Sequence, residues 1–223
     1  MEALGLFQTW LSRQENRILD VLYPPACIEC GVGGFWCCDS CFESIDFDIE
    51  TPMVDGIDCV HVIGSYANPV LRKLLTSYKY RSASCLRPIL RLLVERWKRE
   101  VGVSIDGDWT ILTTPTDEQH ILERGYDHTV YLAEIVRDLL LPHARIVSAF
   151  HRNRKTEANA SLHESELRIG NIKGSIELIE PVHGLVFLID DVLTSGATMG
   201  ECARVLRRSG VERIEGLAFA LGR

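Results

Sequence analysis

The chain has 223 residues, of which 46% are hydrophobic and 25% charged, and its formal net charge is −7. That length accommodates one sizeable α/β domain with a small appendage. The acidic balance argues against a surface that grips nucleic acid everywhere, while leaving room for a local basic patch, and no apolar run reaches bilayer length, which excludes a transmembrane helix and any membrane role built on one.

Residues 1–24 read as an amphipathic helix. Leu4, Phe7, Leu11, Ile18 and Leu22 recur at helical spacing, and Pro24-Pro25 stops the pattern. Arg13, Glu15, Arg17 and Asp20 break up any secretory apolar core, so no signal peptide is expected and the default location is cytoplasmic.

Residues 25–50 carry five of the eight cysteines. The pairs Cys27/Cys30 and Cys38/Cys41 each have Cys-x-x-Cys spacing and can offer four thiolates to one tetrahedral structural Zn²⁺. Gly31, Gly33 and Gly34 let the short connection fold back, and Cys37 competes with Cys38 as the third ligand. Metal binding would supply the folding free energy that so small a segment cannot draw from a core. Between Cys27 and Glu50 there is no lysine or arginine, whereas Glu29, Asp39, Glu43, Asp46 and Asp48 are acidic. A zinc module that held nucleic acid would need cations for the phosphates, so a scaffolding or protein-docking role is expected here.

Residues 51–223 read as an α/β domain with an open, mostly parallel sheet flanked by helices. A strand is expected over 60–66 and a helix over 69–80; a second helix over 86–97 places Leu86, Leu90, Leu93, Val94 and Trp97 on one face. Asp106-Gly107-Asp108 makes a turn into a strand over 109–114, and Thr114-Pro115-Thr116 follows at its carboxyl end, where such sheets hold ligands. Arg124-Gly125-Tyr126 opens a helix over 127–140. Residues 145–150 form a strand, and His151-Arg152-Asn153-Arg154-Lys155-Thr156 is a cationic loop. Between Arg72 and Glu100 nine basic residues face two acids, which makes a solvated helix face; Arg72, Lys73 and Lys79 could instead reach phosphates, and the rest could form a patch for an anionic partner.

The most informative stretch is residues 184–198. An apolar strand over 185–189 runs into Asp190-Asp191-Val192-Leu193-Thr194-Ser195-Gly196-Ala197-Thr198, then into a helix over 199–208. The amides at a helix N-terminus suit a phosphate, Gly196 lets the backbone come close to it, and Thr194, Ser195 and Thr198 add hydroxyl donors. Ionised Asp190 and Asp191 only accept hydrogen bonds, so they suit sugar hydroxyls. No Gly-x-x-x-x-Gly-Lys or Gly-x-Gly-x-x-Gly is present, which removes the nucleoside-triphosphate and dinucleotide loops.

Residues 188–198 resemble the PRPP-binding signature of type I phosphoribosyltransferases. Together with Leu22-Tyr23-Pro24-Pro25-Ala26-Cys27-Ile28-Glu29-Cys30-Gly31 and the second cysteine pair, they resemble the ComF family, phosphoribosyltransferase-like proteins with an N-terminal zinc finger that are associated with competence. The resemblance implies a type I phosphoribosyltransferase fold and PRPP bound with Mg²⁺ on residues 190–198. It implies a pyrophosphate loop at Thr114, Pro115 and Thr116, a catalytic role for Asp190, Asp191 and Arg124, and a flexible loop bearing Arg152, Arg154 and Lys155. Asp127 stands where the family has Asn. Two functions follow as expectations: phosphoribosyl transfer to a nitrogenous base with release of pyrophosphate, or a non-catalytic accessory role in DNA uptake or processing that uses the PRPP site for sensing and the zinc module to dock proteins of the uptake machinery.

Overall fold

A computed structural model describes residues 25–47, 51–80, 83–116, 121–122, 126–153 and 172–222. The helix expected over 1–24 lies outside them, as do Arg124, Arg154 and Lys155. The chain divides into two compact units, Met1–Ser44 and Ile45–Arg223.

In the first unit the described backbone is a tight fold-back ending in a single turn of helix, α1 (Asp39–Glu43). Ala26 bridges to Gly33, Cys27 N–H donates to Val32 O at 2.8 Å, and Gly34 N–H donates to Pro25 O at 2.7 Å. Gly31 and Gly34 have φ of 76° and 92°, a region that residues with a Cβ avoid, so glycine makes this short return possible.

The second unit runs β1 (Cys59–Ser65), α2 (Pro69–Tyr80), α3 (Ala83–Val101), β2 (Trp109–Thr113), α4 (His128–Leu140), β3 (Arg145–Val147), β4 (Phe150–Arg152), β5 (Ile176–Leu178), β6 (Leu185–Leu193), α5 (Ala197–Arg208) and β7 (Arg213–Leu221). Five strands form one sheet in the order β1-β7-β6-β2-β3, every neighbouring pair parallel. β4 and β5 make a separate antiparallel pair. The strand expected over 145–150 is therefore two: Val147 still pairs with Leu112 in the main sheet, whereas Phe150 has changed partner to Leu178. That exchange puts Arg152 in a strand rather than in a loop.

Interior strands covered on both faces need apolar residues at successive positions rather than in alternation. β6 and β7 meet that need, with buried residues running through Val186–Ile189 and Ile214–Leu221. On one face Val186 and Leu188 pack with Met199, Cys202 and Leu206 of α5. On the other, Phe187 stacks with His61 at 6.1 Å, and His61 meets Trp97 of α3 edge-on at 6.2 Å. Full burial of Trp97, Phe187 and Phe219 contributes about 1.5–3 kcal/mol for each such side chain.

The connections locate the ligand crevice. From β6 the chain passes through α5 to β7 on one side; from β2 it passes through α4 to β3 on the other. Right-handed crossovers that leave in opposite directions lie on opposite faces. The carboxyl ends of β6 and β2 therefore border the switch point where open α/β sheets take ligands.

The basic run on α3 is largely answered within the domain. Arg87 pairs with Glu134, Arg91 with Asp138 at 3.5 Å, Arg96 with Glu100 at 2.9 Å, and Lys98 donates to Leu139 O at 2.7 Å. Three of those four contacts cross to α4, so these cations lace two helices together.

Candidate functional site

β6 does not stop at Ile189. Its pairing with β7 continues through Asp190↔Ala218 to Leu193↔Leu221, so both aspartates sit in the strand itself. Strand alternation sends their side chains to opposite faces of the sheet, and that separation organises the whole site.

Asp190 lies on the α5 face. It lines a cavity of roughly 90 Å³ with Ile172, Thr194, Ser195, Gly196 and Thr198. α5 begins at Ala197, two residues earlier than its apolar spacing predicts. Its N-cap is Gly196, with φ of 72° and no side-chain cap, so the first amides of the helix have no capping side chain competing for them. Ala197 N–H reaches Ser195 Oγ at 3.4 Å. A β-carbon at position 196 would stand 3.0 Å from Val54 Cγ2, so glycine is needed there for space as well as for conformation. Burial and the adjacent Asp191 charge push the Asp190 carboxyl well above the usual carboxylate range, against the pull of the Asp191 N–H, which donates to Asp190 Oδ1 at 2.8 Å.

Asp191 is 8% exposed and faces the helices on the other side. Its Oδ2 is shared by Lys79 Nζ, from the last turn of α2, and by His128 Nε2 at 3.3 Å, from the first turn of α4. Its Oδ1 accepts from Val192 N–H at 2.9 Å. Burial opposes its ionisation, but the His128 hydrogen bond and the Lys79 charge outweigh that and hold its carboxyl below the usual range.

The segment after β2 is less open than expected. Thr114 is 4% exposed and its N–H donates to Ile189 O at 3.0 Å, while Pro115 has no N–H. Of the backbone groups over 114–116, the Thr114 N–H is thus committed to the sheet and Pro115 supplies no donor. The Thr116 hydroxyl donates to Asp127 Oδ1 at 3.3 Å. Asp127 is the N-cap of α4, accepting from Thr129 N–H at 3.0 Å and from the Thr129 hydroxyl at 2.6 Å. Tyr126 donates to Tyr78 O at 2.8 Å and ties the end of α2 to the start of α4. Arg152 is half-buried on β4.

Sequence reasoning missed His128 as a site residue and looked to Lys79 for phosphate rather than for Asp191. No spacing rule joins positions 79, 128 and 191. The only local signal was a histidine in the first turn after the Arg-Gly-aromatic stretch.

In the first unit the ligand atoms of Cys27, Cys30, Cys38 and Cys41 all lie within 4.8 Å of one another, and the Cys30 and Cys38 sulfurs are 3.6 Å apart. At a Zn–S distance of about 2.3 Å, a tetrahedron of sulfurs has an edge of about 3.8 Å. The four cysteines could therefore bind a metal such as zinc. Cys38 N–H donates to Cys27 Sγ at 3.4 Å, whereas Cys37 Sγ turns aside to Cys38 O at 3.8 Å. Burial, followed by the neighbouring Cys27 and Cys38 charges, pushes the Cys37 thiol up to about 12. Geometry thus selects Cys38 over Cys37. Among the described residues this is the one group of three or more such side chains whose ligand atoms converge, and no helix is long and apolar enough to cross a membrane.

Comparison with known proteins adds relatives to this geometry. The chain is 27% identical over 149 residues to the DNA utilization protein YhgH of Escherichia coli O6:H1, a match covering 66% of this chain and 64% of that one. It is 28% identical over 174 residues to competence protein F of Haemophilus influenzae, covering 73% of each. It is related to competence protein F. The match thus spans somewhat less than two-thirds of the YhgH protein's length and nearly three-quarters of its competence relative's. No protein-family model matches the chain. A solved structure of the allosteric regulatory enzyme of purine biosynthesis shares 14% identity, covering 65% of this chain and 30% of its own, with a TM-score of 0.41.

Proposed function

We propose that the second unit binds PRPP across the carboxyl ends of β6 and β2 and transfers its phosphoribosyl group to a nitrogenous base, releasing pyrophosphate. The observation that carries this reading is the pairing of Asp190 with an uncapped helix N-terminus in one small cavity. The 5-phosphate sits on residues 194–198, held by α5 amides and by the Thr194, Ser195 and Thr198 hydroxyls. Asp190 meets the ribose. Mg²⁺ would be held mainly by the substrate's phosphates and would neutralise charge on the leaving diphosphate, since this ion ordinarily takes one or two carboxylates and substrate phosphates rather than an all-protein cage. The chain's own part is to orient the ribose, to neutralise charge with Arg124 and the cations near β4, and to exclude water from the reacting carbon. In the first unit Cys27, Cys30, Cys38 and Cys41 would hold Zn²⁺ as a structural ion, because four thiolates leave no position open for chemistry.

A second reading has its own support. Asp191, half of the acidic pair, is already engaged by Lys79 and His128, and the relatives' names speak of competence and DNA utilization. On that reading the crevice senses PRPP without turnover, and the cysteine unit, which exposes Val32 and Phe35, docks protein partners. Incubation with PRPP, Mg²⁺ and a panel of bases, following pyrophosphate, separates the two. Base-dependent release that Asp190→Ala abolishes supports transfer. Saturable PRPP binding with no release from any base overturns transfer in favour of sensing.

A further inference from the structure

The two partners of Asp191 differ in a way that matters for ligand entry. His128 is fixed: its side chain is 4% exposed, and it stands in the first turn of a helix capped by Asp127. Its other ring nitrogen, Nδ1, is 3.9 Å from Asp127 Oδ1, the same oxygen that takes the Thr116 hydroxyl. Lys79 is different. Its side chain is 28% exposed, and it carries a compact charge on a four-carbon stem. The backbone from which it projects is anchored, because the Tyr126 hydroxyl holds the Tyr78 carbonyl. The Lys79 side chain can therefore swing while its Cα stays in place.

A buried carboxylate with a single partner resists losing it, since an unpaired charge would be left behind. Asp191 has three donors: Lys79, His128 and the Val192 amide. Removing the lysine still leaves it two, and its low affinity for protons fits a carboxylate held as an anion by several donors at once.

We infer that Lys79 is the mobile cation of this crevice, parked on Asp191 in the empty protein and transferred to the diphosphate of an incoming sugar phosphate, with His128 as the positioning residue that stays on Asp191 and so permits the transfer. This rests on the proposed PRPP reading and adds to it a division of labour. Asp190 and the α5 turn recognise the ribose 5-phosphate end, which any ribose 5-phosphate shares. Lys79 reads the diphosphate at the other end, and Asp191 serves as the lysine's resting place.

The test compares PRPP with ribose 5-phosphate, both with Mg²⁺, by calorimetric titration of the full-length protein. Lys79→Met is expected to weaken PRPP at least tenfold and to change ribose 5-phosphate by less than twofold, with Lys79→Arg intermediate. His128→Ala should weaken PRPP in the presence of Lys79 and add nothing in the Lys79→Met background, a coupling that double-mutant cycles resolve. His128→Gln, which keeps a donor, should restore most of the loss and guards against a folding defect in the alanine variant. Equal losses for both ligands in Lys79→Met, no loss for either, or additive effects of the two sites would overturn the inference while leaving the site's ligand class intact. If the wild type binds neither compound, the PRPP reading itself falls and the inference with it.

Discussion

Two residues on one strand carry most of the site's electrostatics, and they are driven apart. Asp191, surrounded by donors, stays ionised; Asp190, buried beside that negative charge, resists ionisation. A carboxyl whose folded pKa is raised stabilises the protein fully below its unfolded value, near 3.9, and loses that contribution as pH rises through the folded value. Asp190→Asn removes this titration. The variant should gain stability relative to wild type between pH 4 and pH 8, read as the difference in urea midpoints at the two ends. An unchanged difference would mean that Asp190 ionises as freely in the fold as out of it. Gly196 shows the complementary constraint, combining a positive φ with a Val54 methyl at the site of any β-carbon. Gly196→Ala should cost about 1–3 kcal/mol in chemical denaturation and weaken ribose 5-phosphate binding by displacing the first amides of α5.

At the level of elements, the site depends on where helices begin and end. α2 ends beside Asp191, α4 begins there, and α5 begins at the turn after β6; the Tyr126 hydroxyl ties the end of α2 to α4, while the Asp127 cap and the left-handed Gly196 set the two helix starts locally. The cysteine unit is governed in the same way by two glycine turns and a one-turn helix. Its ligand choice can be checked by metal analysis. Cys38→Ser should lose bound zinc and its protection of the unit from proteolysis, whereas Cys37→Ser should retain one equivalent per chain. Loss of zinc in Cys37→Ser with retention in Cys38→Ser would reverse the assignment.

For the molecule as a whole, topology decides where chemistry can occur. Strands distant in sequence are neighbours in the sheet: β1 lies beside β7, and β2 beside β6. The crevice therefore gathers residues from positions 79, 114–116, 126–128 and 190–198, and no shorter segment reproduces it. A ligand that binds only this assembled state should stabilise it by mass action. PRPP at a hundred times its dissociation constant is worth about 2.7 kcal/mol, which in a unit of this size is a rise of roughly 5–10 °C in Tm. A flat thermal profile under saturating PRPP and Mg²⁺ would contradict specific binding.

Hydrophobic periodicity, cysteine spacing and the acidic-hydroxyl turn are local quantities, and for that reason they were legible in the chain. They sufficed for α2, for the four converging cysteines, for the parallel α/β class and for a glycine turn ahead of α5. The opposed facing of Asp190 and Asp191 depended on the strand running on to Leu193, which follows from pairing with β7 rather than from the apolar run alone. The commitment of the Thr114 amide to Ile189 and the meeting of Lys79 with His128 on one carboxylate oxygen were likewise tertiary outcomes. Strand pairing and helix docking select contacts by burial and geometry across tens of residues, and neither leaves a periodic mark on the sequence from which such a meeting could be read.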